Sequence, residues 1–584
     1  MSGAPAHEGV AAGGPPAGGA PGGSPVGDEL LARASLWARD DPDPGTRAEV
    51  ERLVAARDLS GLSERFDRPL AFGTAGIRGV LGAGPGRMNR AVVRRTAAGL
   101  ARFVSSQGGD AAGRGVVVGR DARHLSGQFA SDVAEVASAL GVRARLVASA
   151  LPTPLTAFAV RHLGAAAGAM VTASHNPPRD NGVKVYLADG AQVVPPYDAE
   201  IERSAGQGVP GGRDGRDPGT VELVDERELL DSYRSAVLAL VDPGSPRELS
   251  VVYTPLHGVG GAVLPDLLER AGFARPLVVP AQAEPDPEFP TLAFPNPEEP
   301  GALELALAAA RGVGADLVVA NDPDADRLAV ALPGRAPGEW RALTGDELGI
   351  LLADDLVSRT AGADRLVATT IVSSTMLAAL AREAGVAYAE TLTGFKWIAR
   401  AAALRPGHRL LFGYEEALGY AASDAVADKD GLSAALVAVS LAARAKASGA
   451  TLLDLLDDLS CRLGVHESAP WSLRLDGPGA PEEIASVVAR WRSDPPARLA
   501  GLEVTDVVDL AGGSGELPPT DAVVLRAGER ARVVVRPSGT EPKLKAYLLA
   551  TTPPVRPGEL DGARREATRV LTALREDVAR RCAL

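Results

Sequence analysis

Short apolar segments alternate with helix-like stretches along most of this chain, and this alternation constrains the fold more than any other feature of the sequence. Apolar runs at residues 115–118, 143–147 and 169–172 are predicted to be strands, and residues 128–140 are predicted to form a helix. Strands separated by helices build parallel or mixed sheets with helices packed on their faces. The sequence therefore predicts α/β domains.

The alternation repeats in later blocks, which indicates several domains. At 584 residues and 46% hydrophobic composition, the chain is long enough to form several cores. A proline-rich loop is predicted at residues 284–300. Further strands are predicted at 249–253, 316–320, 365–370 and 531–535, and further helices at 302–311, 345–358, 431–447, 452–463 and 562–581.

We predict a tail followed by four domains of broadly similar size. Residues 1–45 are predicted to be a disordered tail, because residues 1–27 are mainly Gly, Pro and Ala. The domain boundaries are predicted at 46–245, 246–355, 356–470 and 471–584. The first three domains are expected to be mixed α/β, and the last a smaller α+β domain.

The net charge of −13 argues against a nucleic-acid partner, because binding a polyanion needs a positive surface. No apolar run is long enough to span a bilayer, so we expect no membrane partner. The two cysteines, Cys461 and Cys582, do not form a disulfide framework, which favours a reducing cytoplasm. Any phosphate site must be built from local cations.

The first chemical motif lies at residues 171–186, VTASHNPPRDNGVKVY. Ser174 follows an apolar run and precedes a Pro-Pro turn, so we expect it on an exposed loop at the end of a strand. The segment offers an oxygen nucleophile in Ser174, an imidazole in His175 and an ammonium in Lys184, as phosphoryl transfer requires. The alternative is a polar hairpin loop without catalytic function.

A Ser-His-Asp hydrolase is disfavoured at this motif. On an extended segment the adjacent side chains of Ser174 and His175 point to opposite faces, and we expect no hydrogen bond between them. The residues around Ser174 also lack the G-x-S-x-G pattern of α/β-hydrolases.

The second motif, NDPDADR at residues 321–327, follows an apolar strand. Asp322, Asp324 and Asp326 alternate along the chain, so on an extended loop their carboxylates share a face and can bind one hard divalent cation. An EF-hand is excluded, because Arg327 and Pro333 occupy the positions that require glycine and glutamate. A solvated acidic turn is the alternative, although three adjacent carboxylates next to an apolar strand are unfavourable without a cation.

The third motif is a pair of carboxylates flanked by glycines, FGYEEALGY at residues 412–420. Carboxylates such as Glu415 form bidentate hydrogen bonds with sugar hydroxyls. Thr393, Gly394 and Lys396 precede this motif in the segment TGFK. A glycine-flanked acidic turn is the alternative interpretation.

The fourth motif is RPSGTEPK at residues 536–543, after a predicted strand. A guanidinium, two hydroxyls and a glycine that exposes backbone N–H groups can bind a phosphate dianion. The residues expected to do so are Arg536, Ser538, Gly539 and Thr540. A Pro-Gly turn is the alternative.

Lysine is rare in this chain: only six of its 61 basic residues are lysine. Arginine serves wherever a generic positive charge is enough, so a lysine can mark a place that needs a compact, flexible ammonium. Lys184, Lys396 and Lys545 lie in or beside the motifs above, and all three are candidate site residues.

Together, the four motifs resemble those of the α-D-phosphohexomutase family, in the order in which that family carries them. The closest likeness is TASHNP at residues 172–177, which resembles the family's phosphorylatable serine loop. The segment FGTAGIRG at residues 72–79 is similar to its opening loop and places Arg78 near the active centre. The resemblance extends from about residue 46 to the C-terminus.

This resemblance implies a heart-shaped molecule of four domains around one cleft. It implies a phosphorylated Ser174, supported by His175, with Lys184 at the reacting oxygens and Arg327 beside the transferred phosphoryl group. It also implies Mg²⁺ bound by Asp322, Asp324, Asp326 and the phosphate on Ser174.

For the substrate, the resemblance implies that Glu415 binds sugar hydroxyls and that the loop at Arg536 binds the phosphate that is not transferred. Ala417 stands where many relatives have serine, and together with residues 294–300 it points to the branch of bacterial phosphoglucomutases and vertebrate phosphopentomutase-like enzymes. The expected reaction interconverts glucose 1-phosphate and glucose 6-phosphate through glucose 1,6-bisphosphate. Mannose and pentose phosphates are alternative substrates, a metal-dependent phosphatase is a more distant alternative, and a monomer is expected, with a dimer as the alternative.

Overall fold

The computed structural model describes residues 25–73, 76–209, 220–477, 479–538 and 543–582. Four β-sheets follow one another along the chain, each with its own helices. The first three sheets are mixed, and the fourth is antiparallel. This arrangement confirms the expected four-domain α/β architecture with a C-terminal α+β domain.

Three helices precede the first sheet: α1 (Pro25–Asp40), α2 (Pro44–Ala55) and α3 (Leu59–Phe66). They pack around a small core that contains Ala34, Val50, Leu62 and Phe66. The prediction of a disordered tail over residues 1–45 is therefore wrong for residues 25–45, because apolar residues recur at helical spacing after residue 27 and bury one face. Residues 1–24 lie outside the described residues.

The first domain contains a six-stranded sheet in the order β1-β5-β4-β2-β3-β6. Strands β2 and β4 are almost fully buried, because helices cover both faces of the sheet. The strands are β1 (Gly76–Val80), β2 (Val116–Arg120), β3 (Ala144–Leu146), β4 (Ala167–Val171), β5 (Asp180–Leu187) and β6 (Val221–Leu223). The helices are α4 (Arg90–Ser106), α5 (Ala111–Arg114), α6 (Ser126–Ala139), α7 (Thr153–His162), α8 (Tyr197–Ala205) and α9 (Glu226–Leu238).

The second domain contains a five-stranded sheet in the order β11-β10-β9-β7-β8. Its strands are β7 (Val251–Thr254), β8 (Leu277–Val278), β9 (Leu317–Ala320), β10 (Ala329–Pro333) and β11 (Trp340–Ala342), and its helices are α10 (Gly260–Arg270) and α11 (Glu304–Val313). The predicted proline-rich loop lies between β8 and α11, and it contains neither a strand nor an α-helix over residues 284–300.

The third domain contains a four-stranded sheet in the order β13-β12-β14-β15. Its strands are β12 (Arg365–Thr370), β13 (Ala387–Thr391), β14 (Arg409–Glu415) and β15 (Gly419–Ala421). Its helices are α12 (Gly345–Arg359), α13 (Met376–Ala384), α14 (Phe395–Ile398), α15 (Gly431–Ala447) and α16 (Leu452–Leu463). Helix α15 is buried over most of its length, and it also packs against α10 of the second domain.

The fourth domain contains an antiparallel sheet in the order β16-β22-β21-β20-β19. Its strands are β16 (His466–Arg474), β17 (Arg498–Leu499), β18 (Leu502–Glu503), β19 (Asp506–Asp509), β20 (Val523–Ala527), β21 (Ala531–Pro537) and β22 (Lys543–Thr551). Helices α17 (Ala480–Ser493) and α18 (Leu560–Cys582) share its apolar core.

All four motifs lie between two neighbouring antiparallel strands of their sheets. The serine loop joins β4 to β5, the acidic loop joins β9 to β10, the glutamate loop joins β14 to β15, and the fourth loop joins β21 to β22. In the first three sheets the loop leaves the carboxyl end of a parallel strand, where α/β proteins bind ligands.

In the part of the chain that the structure describes, no single helix is long and apolar enough to cross a membrane. Helices α15 and α16 pass that test only as a pair, and the pair is bent by 90°.

Candidate active site

Ser174 lies between β4 and β5, and its hydroxyl donates a hydrogen bond to Asp322 Oδ2 at 2.7 Å. This contact joins the serine loop of the first domain to the acidic loop of the second domain. The backbone of Ser174 is left-handed, with φ at 53°, and its N–H donates to Thr172 Oγ1 at 2.8 Å. The first two motifs therefore form one site.

Two expectations about Ser174 are wrong. The residue is only 5% exposed, because Asp322 covers it, so it is not on an exposed loop. Its Oγ also lies 3.2 Å from His175 Nδ1, because the left-handed turn at Ser174 brings together side chains that an extended segment would separate. Burial and then the charges of Arg327 and Arg78 lower the pKa of His175 well below its usual value, so the imidazole is neutral.

The acidic loop gathers Asp322, Asp324 and Asp326, with one oxygen from each within 4.8 Å of the others. We had expected an extended backbone here, but the backbone turns sharply through Ala325, whose φ is 55°. All three carboxylates are buried. The convergence of the carboxylates is confirmed, but a turn produces it.

Lys184 Nζ lies 2.7 Å from Asp324 Oδ2 and 2.7 Å from Asp326 Oδ2. Burial opposes the charge of this ammonium, but the two carboxylates outweigh burial and raise its pKa. For Asp324 likewise, burial favours the neutral acid, but Lys184 lowers the pKa well below its usual value. Both groups are therefore charged, and Thr153 adds a hydrogen bond to Asp324 Oδ2 at 2.6 Å.

The acidic loop fits a divalent cation. Among the described residues, Asp324 Oδ1 and Asp326 Oδ1 are buried without a hydrogen-bond partner. Buried carboxylate oxygens without a donor are unfavourable, and a hard cation such as Mg²⁺ satisfies them. Burial, and then the charges of Asp324 and Asp326, raise the pKa of Asp322 well above its usual value.

Arg78 contacts the serine loop, and Arg327 contacts the acidic loop. Arg78, on β1, donates from Nη1 to Asn176 Oδ1 at 3.0 Å. Arg327 donates its backbone N–H to Asp322 Oδ1 at 3.0 Å and its Nη1 to Glu298 Oε2 at 3.0 Å. Both predicted arginines therefore contact the two loops that meet at Ser174.

The glutamate loop contacts the acidic loop directly. Leu328 N–H donates to the carbonyl oxygen of Leu418 at 3.0 Å. The positive charge of Arg327 favours the ionised form of Glu415. Glu416 Oε2 accepts a hydrogen bond from Ser373 Oγ at 3.0 Å inside the third domain. Glu415 and Ala417 are half-buried.

The fourth motif contacts the third domain, because Arg536 Nη1 donates to Thr393 Oγ1 at 2.7 Å. Gly394 is the N-cap residue of the short helix α14, and burial lowers the pKa of Lys396 on that helix to about 8. Lys545 pairs with Arg536 across β21 and β22, and Ser538 N–H donates to the carbonyl oxygen of Lys543 at 2.7 Å. Gly539 and Thr540 lie outside the described residues.

Four family models match the chain, each a domain of phosphoglucomutase/phosphomannomutase. They cover α/β/α domain I at residues 69–208, domain II at 231–334, domain III at 344–459 and the C-terminal domain at 489–556. The chain belongs to the α-D-phosphohexomutase family.

Curated relatives of this phosphohexomutase differ in the sugar that their names give. A "Probable phosphomannomutase" of Haemophilus influenzae is 40% identical over 466 residues, which cover 79% of this chain and 92% of the relative. A phosphopentomutase of Homo sapiens is 34% identical, and the match covers 89% of this chain and 91% of the relative. A phosphoglucomutase of Staphylococcus aureus is 33% identical, and the match covers 85% of this chain and 92% of the relative. The chain is accordingly an isomerase that transfers phosphate intramolecularly.

Solved structures support the same fold. A phosphoglucomutase/phosphomannomutase family protein of Burkholderia thailandensis superposes with a TM-score of 0.64 at 23% identity, covering 86% of this chain and 97% of that one. At this identity the likeness supports the four-domain fold alone.

The phosphohexomutase site contains residues that sequence reasoning missed, above all the segment Asp428-Lys429-Asp430. Asp428 Oδ2 accepts from Gln192 Nε2 at 2.7 Å and from Tyr186 of the first domain. Lys429 Nζ lies 3.4 Å from Asp326 Oδ2 of the second domain. Asp430 caps helix α15 of the third domain. The only available signal was that Lys429 is one of the few lysines, and nothing in the sequence indicated its partners.

Proposed function

We propose that this phosphohexomutase interconverts glucose 1-phosphate and glucose 6-phosphate through a phosphorylated Ser174 and glucose 1,6-bisphosphate. The observation that carries the proposal is the hydrogen bond between Ser174 Oγ and Asp322 Oδ2 at 2.7 Å. It places a hydroxyl nucleophile against a buried carboxylate cluster, which is the arrangement that a metal-assisted phosphoryl transfer needs.

In the first half-reaction, the bond between phosphorus and Ser174 Oγ breaks as the sugar 6-hydroxyl oxygen forms a bond to the phosphorus. The proton of that hydroxyl ends on Ser174 Oγ. The bisphosphate then turns end for end, and Ser174 takes the phosphoryl group from carbon 1 in the same chemistry run backwards. In each transfer, one phosphoryl group and one proton change places between Ser174 and the sugar, and nothing else is gained or lost.

The cation expected at Asp322, Asp324 and Asp326 is Mg²⁺, which would neutralise negative charge on the transferring phosphoryl oxygens. Lys184, charged and adjacent to Asp324, is proposed to contact the reacting hydroxyl. Arg327 is proposed to stabilise the same phosphoryl oxygens.

The sugar is proposed to lie between the third and fourth domains. Glu415 would bind two of its hydroxyls, with Thr393, Gly394, Lys396 and Ala417 around it. Arg536, Ser538, Gly539, Thr540 and Lys545 would hold the phosphate that is not transferred. The contact between Arg536 and Thr393 supports this, because it brings the two predicted loops together.

Glucose 1-phosphate is the proposed substrate, and the test is a comparison of kcat/KM. The candidates are the 1-phosphates of glucose, mannose, ribose and deoxyribose, each supplied with catalytic amounts of its bisphosphate. We expect the highest kcat/KM for glucose 1-phosphate. A higher value for mannose or for a pentose would reassign the sugar within the same mechanism.

The mechanism itself is tested by Ser174→Ala. We expect turnover to fall by at least ~10³-fold while substrate still binds, since the nucleophile is lost. Peptide mass spectrometry of the purified wild-type protein should locate one phosphate on Ser174. Ser149→Ala, at an exposed serine, is the control. Near-normal turnover of Ser174→Ala would contradict the mechanism.

A metal-dependent phosphatase is the second candidate, because it would use the same serine and carboxylates. Release of inorganic phosphate without isomerisation would favour it. We further propose a monomeric, cytoplasmic protein, in keeping with the free thiols of Cys461 and Cys582.

A further inference from the structure

Arg123 lies just after β2, is only 5% exposed, and binds the backbone of the serine loop. Its Nη2 donates to the carbonyl oxygens of Ser174 at 2.6 Å and Asn176 at 2.5 Å. Its Nη1 donates to the carbonyl oxygens of Pro177 at 2.8 Å and Asp180 at 3.2 Å. One guanidinium therefore binds four carbonyl groups of the loop that carries the proposed nucleophile.

The carbonyl group of Ser174 belongs to a strained residue. A left-handed backbone, with φ at 53°, is unfavourable for a residue other than glycine, and it persists only where surrounding contacts fix it. This conformation sets the direction of the Ser174 side chain towards Asp322 and His175. Arg123 binds the oxygen of that same residue, so it is placed to hold the strained conformation.

Arg123 is itself fixed by groups from two domains. Its Nε lies 3.4 Å from Asp121 Oδ2, and Asp121 Oδ1 accepts from Ser126 Oγ at 2.6 Å. The guanidinium lies over the ring of Phe289, 4.9 Å from the ring centre, and Phe289 belongs to the proline-rich loop of the second domain. A cavity of about 10 Å³ adjoins Asp121, Arg123 and Phe289, which leaves little room for the guanidinium to move.

We propose that Arg123 is a positioning residue, which holds Ser174 in the conformation from which it transfers phosphate and links that conformation to the second domain through Phe289. The inference rests on the proposed function of Ser174. Only a planar guanidinium can satisfy four carbonyl groups in this geometry, because an ammonium offers three donors from a single point.

The test is Arg123→Lys in the full-length protein with Mg²⁺ present. We expect kcat to fall by ~10²-fold with KM changed by less than ~3-fold, because a small misplacement of a reacting group affects the transition state more than substrate binding. In Arg123→Ala, guanidinium ions added to the assay should restore part of kcat. A residue needed only for folding would show neither the split between kcat and KM nor the rescue.

Arg120→Lys is the matched control, because the side chain of Arg120 donates to the carbonyl oxygens of Ala148 and Asp121 and to none of the four carbonyl groups that Arg123 binds. A folded Arg123→Lys variant with the kcat of Arg120→Lys would overturn the inference. So would loss of folding in both Arg123 variants, which would give Arg123 a folding function alone. If Ser174→Ala retained turnover, the proposed function would fail instead, whatever the Arg123 variants showed.

Discussion

At the scale of single residues, the site is a balance of buried charges. Asp324 and Asp326 share the ammonium of Lys184, and Lys429 adds a second ammonium near Asp326. Such charges are tolerated in a protein interior only when each has a partner of opposite sign. Glu416 is a half-buried carboxyl group of the third domain, and hydroxyls of that domain are its hydrogen-bond partners.

Glu416 is expected to make stability depend on pH. Burial, and then the charges of Glu415 and Asp346, raise the pKa of Glu416 to about 7. Because the pKa is higher in the folded state, protonated Glu416 contributes its full stabilisation below the pKa of the unfolded state, near 4.5. This contribution is lost as the pH rises through about 7. At pH 8.5, ionised Glu416 should therefore destabilise the protein by about 1–2 kcal/mol.

The measurement is the midpoint of thermal unfolding of Glu416→Gln. We expect the variant to be more stable than wild type at pH 8.5 and similar to wild type at pH 4.5. Asp424→Asn, at an exposed position after the same loop, is the control. An equal effect of Glu416→Gln at both pH values would show that the titration of Glu416 does not matter for stability.

Residue types and their spacing predicted Ser174 and the three aspartates, and the family resemblance added Arg78 and Arg327. The structure joins Ser174 to the acidic loop and places both arginines in contact with these two loops. The sequence could not predict Arg123 or Lys429, because their function depends on groups more than 50 residues away in the chain. It also misjudged the geometry at Ser174, because a left-handed φ at a serine is imposed by tertiary contacts and leaves no mark in the local sequence.

At the scale of elements, a single design recurs. Each motif occupies the connection between antiparallel neighbours, where the chain reverses direction. Hydrophobic periodicity predicted helices α15 and α16 and strand β12 with their observed boundaries. It could not predict strand order, because pairing partners are distant in sequence. It also missed helices α1 to α3, whose pattern follows a Gly/Pro-rich segment.

The acidic loop between β9 and β10 is expected to bind Mg²⁺ as a unit. Asp324→Asn keeps the shape of the side chain but removes a charge and weakens an oxygen ligand. We expect turnover to fall by at least ~10²-fold. Added Mg²⁺ should raise the thermal midpoint of the EDTA-treated wild-type protein, because a ligand that binds only the folded state stabilises it, and should not raise that of the variant.

Glu304→Gln is the control for this experiment, since Glu304 is exposed at the start of α11 in the same domain. An Mg²⁺-dependent shift of full size in Asp324→Asn would place the cation elsewhere.

At the scale of the whole molecule, the fourth domain is attached to the third by buried polar contacts close to the sugar loop. Arg532, on β21, donates to Glu390 Oε1 at 2.7 Å and to the carbonyl oxygen of Ser373 at 2.5 Å. The hydroxyl of Ser373 in turn contacts Glu416. An apolar cluster that includes Ile371, Leu392, Val524 and Val534 spans the same boundary. The orientation of the proposed phosphate loop therefore depends on contacts made outside it.

Arg532→Met is expected to loosen this attachment. The change removes the cation that pairs with Glu390, and with it about 2–3 kcal/mol from the contact between the domains. Because apparent affinity falls with the fraction of molecules in the binding-competent arrangement, KM for the sugar phosphate should rise by ~10-fold with a smaller change in kcat. Small-angle X-ray scattering should show a larger radius of gyration. Arg569→Met, which removes an exposed ion pair with Glu566 in the same domain, should change neither quantity. If Arg532→Met behaved like Arg569→Met, the apolar cluster alone would fix the fourth domain.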